Sequence, residues 1–436
     1  MSDAVYRGLI ALILLIPFDV DLRRLGLGIP FVNTTLEILS VALVTGFLVG
    51  KIRKKQLNLK KTCHNLPIGL FVLCCLVSSL FSPAEVFWAV KCSLKILLSV
   101  LVYFVVVENV TGRARLKTLM SALFFSAAVV AALGILERVF PHSMGSFLSF
   151  FNAGQFRLKE IETLRVKSTF AFPNTLSMFL EMVILLFTGT VLLKEEGLKI
   201  KTVLFVLLLG EALILTYSRG GLISVTCALM FVFFISRTKP GLKDRAKRVL
   251  AIAGIMGLLF VLTGIFDNVF QKRFLSIFSR SYLSNRERVY LWESAVSIIG
   301  DYPLLGVGPD DFRWVYAKKY ARDAPYSTLW FSEEGVPSHN SNSMFLEMGS
   351  DTGIAGLGIF LVLTCGIFAC VFRAFKKPSN QFVLCLIPGF IGAFAVFFLH
   401  GMIDCFFYYL PVLLLFWVLM GMVASLVSPD REGGLK

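Results

Sequence analysis

Histidine is the side chain that ordinarily changes charge near neutral pH. The chain contains only four, which are His64, His142, His339 and His400. His339 is followed by Asn340 in a polar stretch and is the best candidate for a general base, a group that takes a proton from a reacting hydroxyl. For His142 we expect a surface position. For His400 we expect a structural pair with Asp404, four residues further on.

Arginine and lysine side chains upstream of His339 could bind a phosphate group. Arg286 and Arg288 fall in the first turn of a helix that apolar spacing predicts over residues 286–299. Arginine contacts phosphate through paired hydrogen bonds. Arg219 lies where an apolar segment ends. Three more basic residues precede the predicted helix, and ion pairing within the same segment explains them equally well: Lys272, Arg273 and Arg280.

A second set of charges lies in or beside apolar segments. Lys91 and Lys95 are four residues apart and therefore share one face of a helix. Acidic residues occur in or at the ends of other apolar segments, namely Glu37, Glu181, Glu211 and Asp404. Charges inside a membrane usually pair, so structural ion pairs are the first interpretation. The alternative is that the two lysines line a binding site.

The elements that carry these residues must be membrane helices. Of the 436 residues, 56% are apolar and 16% are charged, and the mean hydropathy is +0.78. This composition excludes a soluble enzyme, a disordered chain and a secreted disulfide scaffold. Since a span needs about 20 apolar residues, we predict an all-α polytopic membrane protein with about 12 transmembrane helices. They are placed at 6–18, 31–50, 66–82, 84–107, 118–136, 169–193, 202–217, 222–236, 249–266, 352–372, 382–399 and 408–427.

Basic residues in the short connections predict the orientation, because they are enriched on the cytoplasmic side. One side carries 24 of them and the opposite short connections carry three, so both termini are predicted to be cytoplasmic. The predicted units are residues 1–266 with nine spans and a smaller exported loop at 137–168, a large exported loop at 267–343, and residues 344–436 with a loop-closing helix and three spans. The net charge of +15 is then mainly a topology signal and does not indicate nucleic acid.

The large loop is predicted to be partly helical. Pro309, followed by Asp310 and Asp311, suits the start of a second helix, where proline fits and acids complement the dipole. Spaced apolar residues predict a third helical piece that leads into the tenth span and places His339 near a helix start: Met344, Phe345 and Met348. No cysteine falls in either long loop, and no pair of the nine cysteines has the spacing or histidine partners of a zinc site.

Three stretches together resemble the O-antigen ligase and O-antigen polymerase (Wzy-type) family. They are Tyr217-Ser218-Arg219-Gly220-Gly221, then Arg288 to Trp292 continuing to Tyr302-Pro303-Leu-Leu-Gly306-Val-Gly308-Pro309, then His339-Asn340-Ser-Asn-Ser-Met-Phe-Leu346 continuing to Gly356. The resemblance implies a multi-spanning glycosyltransferase with an undecaprenyl-diphosphate-linked glycan donor and a large periplasmic loop. The 97 residues after His339 leave room for three spans, a layout closer to the ligases. A ligase acceptor is the lipid A–core oligosaccharide, and a polymerase acceptor is another repeat unit.

The resemblance also implies roles for individual residues. His339, Arg288 and Arg219 are the expected catalytic residues, the histidine acting on the acceptor hydroxyl and the arginines stabilising the leaving diphosphate. A second group is expected to contact the diphosphate or the acceptor: Arg286, Lys91, Lys95, Tyr217, Ser218 and Asn340. There is no Asp-x-Asp motif, so we expect metal-independent chemistry without a cofactor. The expected location is the bacterial inner membrane, with the active site on its periplasmic side.

Two alternatives from other classes stay open. A transporter or flippase for a lipid-linked sugar would be marked by internal repeats and helices broken at the membrane midplane. No repeat stands out in the sequence. A structural membrane protein would not require the set of Arg219, Arg288 and His339.

Overall fold

The computed structural model describes residues 2–27, 31–56, 58–151, 165–195, 197–279, 283–321, 337 and 339–427. Regular structure in these ranges is helical, apart from isolated bridge residues that include the pair of Asp21 and Thr34. The predicted all-α class is therefore confirmed. The predicted role of Arg280 falls outside the described residues.

The described helices follow the order of the predicted segments. They are α1 (Ser2–Leu15), α2 (Thr35–Arg53), α3 (Asn65–Leu80), α4 (Val86–Asn109), α5 (Arg113–Val139), α6 (Pro141–Leu148), α7 (Pro173–Leu193), α8 (Ile200–Leu215), α9 (Arg219–Arg237), α10 (Ala246–Phe266), α11 (Asn268–Leu275), α12 (Leu283–Asp301), α13 (Phe312–Val315), α14 (Met344–Lys376), α15 (Gln381–Gly401) and α16 (Leu410–Val427).

Each of the 12 predicted spans corresponds to one of these helices. Over the described ranges, nine are long and apolar enough to cross a membrane: α2, α4, α5, α7, α9, α10, α14, α15 and α16. The other three, α1, α3 and α8, have 14, 16 and 16 residues. They are shorter than the roughly 20 residues that span a bilayer upright. A multi-pass membrane protein is therefore supported, whereas a total of 12 spans stays a prediction.

The helices differ strongly in how much of their surface the bundle covers. In their most apolar stretches, 89% of the residues of α15 and 94% of those of α16 are buried, against 17% for α10. Large apolar side chains of α10 are exposed, among them Leu258, Val261 and Phe266. Such a surface is unfavourable in water and favourable against lipid. Helices α15 and α16 thus form the centre of the bundle, and α10 lies at its edge.

Several helix ends meet at one end of the bundle, which we call the site end. Arg138, in the last turn of α5, contacts Asp267, just after α10, at 2.7 Å. The backbone N–H of Met344, which begins α14, donates to the carbonyl of Asp404, after α15, at 3.1 Å. Helix α12 joins them there, and it confirms the helix predicted over 286–299.

The second predicted helix of the large loop begins three residues later than expected. Asp310 has a left-handed backbone (φ 67°), so helical geometry begins only with α13 at Phe312. The carboxylate of Asp351, on α14, accepts the N–H groups of Asp310 and Phe312 at 2.8 and 3.0 Å. A residue about 40 positions away therefore caps this helix, which local sequence patterns cannot reveal.

Helix α14 is interrupted near its start at Gly353. This residue has φ 68°, and a side chain there would collide with the carbonyl of Leu304. The N–H of Ile354 donates to the carbonyl of Pro303 at 2.8 Å. The Pro303–Pro309 motif therefore packs directly on the Thr352-Gly353 motif. Glycine at position 353 makes this close contact possible, because it adopts positive φ without steric cost.

The buried charges form structural pairs, one of them not as predicted. Lys95 Nζ lies 3.0 Å from Glu37 Oε1, in agreement with an ion pair between apolar helices. The expected pair between His400 and Asp404 is wrong, because His400 Nδ1 lies 2.9 Å from Glu181 Oε1. On α15, His400 faces α7, and Asp404 lies beyond the helix end in a different network. The predicted surface position of His142 is confirmed.

The expectation that no pair of cysteines has the histidine partners of a zinc site also needs correction. Cys63 and His64 precede α3, and Cys370 lies near the end of α14. One ligand atom from each of the three residues lies within 4.8 Å of the others. The sequence separation between Cys63 and Cys370 hides this cluster from any spacing rule.

Candidate active site

The first motif forms a tight turn between α8 and α9. Tyr217 has φ 52°, and the Ser218 hydroxyl accepts the N–H of Gly221 and caps α9. A Cβ atom at Gly221 would lie 2.1 Å from Ser177 Oγ and 2.3 Å from Glu181 Oε1, so any other residue would displace these side chains. The close approach of Ser177 and of the buried pair of Glu181 and His400 therefore explains the glycine of this motif.

Arg219 begins α9 and is held by two side chains. Its guanidinium donates to Ser276 Oγ at 2.8 Å and to Asn285 Oδ1 at 2.9 Å. The side chain is largely buried, with 9% of the residue exposed. Asn285 lies in the first turn of α12, so Arg219 joins α9 to the helix that carries Arg288.

The next residues of α12 make two further contacts that bring the predicted catalytic residues together. Glu287 Oε1 lies 3.6 Å from His339 Nε2. The guanidinium of Arg288 lies 4.0 Å from Asp404 Oδ2. Because Asn285, Glu287 and Arg288 belong to one helical turn, this turn links Arg219, His339 and Arg288.

Asp404 is fixed by groups from distant parts of the chain. Its carboxylate accepts the side-chain amide of Asn174 at 2.5 Å, and Asn174 accepts from Arg165 at 2.6 Å. Arg165 also donates to the carbonyl of Thr216, beside the first motif. Arg288 therefore faces a carboxylate that is already oriented, which limits its freedom to move.

His339 is buried, with 8% of its surface exposed, and its ring nitrogens have different surroundings. Nε2 faces Glu287, whereas Nδ1 has no hydrogen-bond partner among the described residues. The ring lies 5.8 Å from that of Tyr316. A carboxylate on one nitrogen and a vacant acceptor on the other suit a general base, since the carboxylate stabilises the protonated ring.

The segment after His339 is well anchored. Asn340 accepts the N–H of Asn342, and Trp292 of α12 donates to the carbonyl of Asn342 at 3.2 Å. The carboxylate of Glu347 accepts the N–H of Ser341. The histidine is therefore held from both α12 and α14.

A cavity of about 410 Å³ opens beside His339 and Asn340. Charged residues line it, namely Arg23, Asp310, Arg313 and Glu347, together with aromatic Trp88, Phe172, Tyr408 and Tyr409. Asp310 and Arg313 pair with each other. The cavity therefore combines groups that bind anions with aromatic surfaces that suit sugar rings, and His339 lies at its wall.

The sequence did not predict Arg23, Arg313 or the aromatic residues that line the cavity. Arg23 counted only as a charge in a short connection, and Arg313 lies just beyond a pair of acids read as a helix start. Trp88 lies near the start of a predicted span, where tryptophan is common in any membrane protein. Only the fold places these residues at one cavity.

The residues predicted to contact substrate occupy several environments. Lys91 is buried, with Nζ 4.9 Å from the centre of the Trp88 ring, so it lies behind the cavity wall. Lys95 is paired with Glu37. The Tyr217 hydroxyl donates to Asp267, and Ser218 Oγ lies 3.4 Å from His400 Nε2, so both hydroxyls hold the fold together. Arg286 is exposed on α12.

Asp310 and Asp311 do not act as a pair. Asp310 contacts Arg313, whereas the Asp311 carboxylate accepts the Ser82 hydroxyl and the N–H of Glu85. Burial raises the pKa of Asp311 to about 7, although the two hydrogen bonds oppose this shift. Asp311 therefore ties the large loop to the connection between α3 and α4.

Replacing Asp311 with asparagine is expected to reduce the dependence of stability on pH. The folded pKa of about 7 exceeds the reference value of 3.8, so the folded state binds the proton more tightly. This contribution to stability is complete below about pH 4 and is lost as the pH rises through about 7. Asparagine can still accept from Ser82 and Glu85 but does not ionise. Between about pH 5 and pH 8 the melting temperature of the wild type should fall more than that of Asp311→Asn. Equal slopes would contradict this account.

Apolar spans together with a buried histidine, two arginines and a polar cavity at the site end define a multi-pass membrane protein with an enzyme-like site. Residues 204–361 match the family model described as O-antigen ligase, which includes all three motifs. The predicted resemblance to this family is confirmed for residues 204–361, a little over a third of the chain. The family is enzymatic and acts on lipid-linked glycans and lipid acceptors in general. The comparison with curated proteins gave no match.

Proposed function

We propose that the protein transfers an O-antigen glycan from undecaprenyl diphosphate to a hydroxyl of the lipid A–core oligosaccharide, on the periplasmic face of the bacterial inner membrane. The observation that carries the proposal is the segment Asn285–Arg288 near the start of α12, through which Arg219, His339 and Arg288 are brought together. All three residues lie in the segment that matches the O-antigen ligase model.

In this proposal His339 accepts the proton of the acceptor hydroxyl at Nδ1, its unpartnered nitrogen. The acceptor oxygen forms a bond to the anomeric carbon as the bond from that carbon to the diphosphate oxygen breaks. Undecaprenyl diphosphate leaves with the electron pair. Arg288 and Arg219 stabilise the negative charge that develops on it, and Glu287 stabilises the protonated imidazole.

The cavity beside His339 serves as the place where acceptor and donor meet. Arg23 and Arg313 line the cavity but are paired with Asp21 and Asp310, so a phosphate would have to compete with these carboxylates, while Trp88 offers an apolar face to a sugar ring. Asn340 borders the same space, and Lys91 adds positive charge from behind Trp88. Arg286 is exposed on α12 and is proposed to contact the part of the donor outside the cavity.

The chemistry is proposed to need no metal ion. Asp310 is engaged by Arg313, and Asp311 by Ser82 and Glu85, so neither carboxylate is set up as a metal ligand. The arginines then supply the charge that a cation supplies in many sugar transferases. Loss of transfer in EDTA with recovery in Mg²⁺ would contradict this part of the proposal.

The orientation proposed for the active enzyme follows from the charge bias of the short connections. Both termini and the basic connections lie in the cytoplasm, and the units at 137–168 and 267–343 face the periplasm, between span 5 and span 6 and between span 9 and span 10. A flippase is less well supported, because the polar residues gather at the site end rather than midway along the helices.

One experiment separates ligase from polymerase. The gene is deleted from its host, and lipopolysaccharide and carrier-linked glycan are separated on gels. Long glycan chains that accumulate on the carrier and are missing from lipid A support the ligase. Single repeats on lipid A support a polymerase instead, and an unchanged pattern of both would overturn the proposal.

A further inference from the structure

Three residues with metal-binding side chains meet far from the candidate active site. Cys63 and His64 lie directly before α3, and Cys370 lies near the end of α14, whereas His339 precedes its beginning. Cys63 Sγ lies 3.4 Å from His64 Nδ1 and 3.8 Å from Nε2. One ligand atom of each residue, including Cys370 Sγ, lies within 4.8 Å of the others.

These separations can be compared with those in a tetrahedral zinc site. With zinc–sulfur bonds of about 2.3 Å and zinc–nitrogen bonds of about 2.0–2.1 Å, neighbouring sulfur and nitrogen ligands lie about 3.5 Å apart and two sulfurs about 3.8 Å apart. The distance from Cys63 to His64 already fits. Cys370 Sγ needs to move by at most about 1 Å, which a change of side-chain torsion supplies.

The surroundings of the cluster also suit a metal. His64 is buried, with 3% of its surface exposed, so its ring is held in place. Cys63 is exposed and Cys370 is partly exposed, which gives an ion access from solvent and leaves room for a water as fourth ligand. Two thiolates and an imidazole favour zinc over the hard cations Mg²⁺ and Ca²⁺.

We propose that Cys63, His64 and Cys370 bind one zinc ion. The ion joins the segment before α3 to the last turns of α14 and so cross-links two neighbouring helices of the bundle. Its role is structural, since the cluster is remote from His339 and is not needed for the proposed glycan transfer. Failure of the transferase proposal therefore leaves this one unaffected.

The test uses the full chain, purified in detergent under reducing conditions, stripped of metal with a chelator and then titrated with ZnCl₂. We expect one zinc per chain, measured by mass spectrometry of the metal after gel filtration. Cys63→Ser, Cys370→Ser and His64→Ala should each weaken binding at least about tenfold. Cys365→Ser, which removes an exposed thiol from the same helix α14, is the matched control and should bind as the wild type does.

A second readout reports the ligands directly. Cobalt added in place of zinc should give a thiolate-to-metal charge-transfer band in the near ultraviolet, and Cys63→Ser or Cys370→Ser should weaken it. The proposal is overturned if the wild type retains no zinc, or if the double variant Cys63→Ser, Cys370→Ser retains as much as the wild type. It is also overturned if the two thiols form a disulfide in protein kept under reductant.

Discussion

Replacing His339 with alanine is expected to slow glycan transfer by about 10²–10⁴-fold, the usual contribution of a positioned general base. His339 lines the cavity and its imidazole Nδ1 has no partner among the described residues, so alanine leaves no group there to take the hydroxyl proton. The rate is measured with purified protein, lipid-linked donor and acceptor in detergent. Full activity of His339→Ala would rule out the proposed base.

Two further variants make this result specific. His142→Ala removes an exposed histidine and should leave the rate and the melting temperature unchanged. Glu287→Gln keeps a polar group opposite Nε2 but removes the charge that stabilises the protonated ring. As Glu287 is a positioning residue, its variant should shift the pH profile of the rate and lose less activity than His339→Ala.

Replacing Arg288 with alanine is expected to lower the turnover rate by about 10²–10³-fold, as found when a preorganised group that stabilises developing charge is removed. Arg288→Lys should recover only part of the loss, because lysine keeps the charge but not the paired hydrogen bonds to a phosphate. Single-turnover rates at saturating donor separate this effect from weaker donor binding. Equal rates for Arg288→Ala and wild type would contradict the assignment.

The control for Arg288 must remove a positive charge from the same loop without touching the site. Lys319→Ala does so, since Lys319 is exposed and pairs with Asp301 at the other end of α12. Its rate should match the wild type. Asp404→Asn tests the positioning of Arg288. It should lower the rate less than Arg288→Ala does, because the arginine and its charge stay in place.

Much of the fold could be predicted because long apolar segments indicate membrane helices. The predicted 286–299 helix became α12, and every predicted span corresponds to a helix. The predictions that were wrong concerned contacts between residues far apart in the sequence. Asp351 caps α13 from α14, and Glu181 rather than Asp404 pairs with His400.

The candidate site was predictable in part for a related reason. His339, Arg219 and Arg288 lie in motifs that resemble a family, and the structure links them through α12. The rest of the cavity comes from segments without motifs, such as Arg23 and Trp88. Contacts between residues that are far apart in sequence leave no local pattern, so the cavity wall and the cluster of Cys63, His64 and Cys370 are visible only in the folded chain.

The network around Asp404 bears on how the chain can be divided. Asp404 binds Asn174, from a position 230 residues earlier, and faces Arg288. The segment that matches the family, 204–361, contains Arg288 but neither Asn174 nor Asp404. A fragment cut at those limits would lose the groups that orient its own arginine. The limits of family similarity are therefore not the limits of an autonomous folding unit.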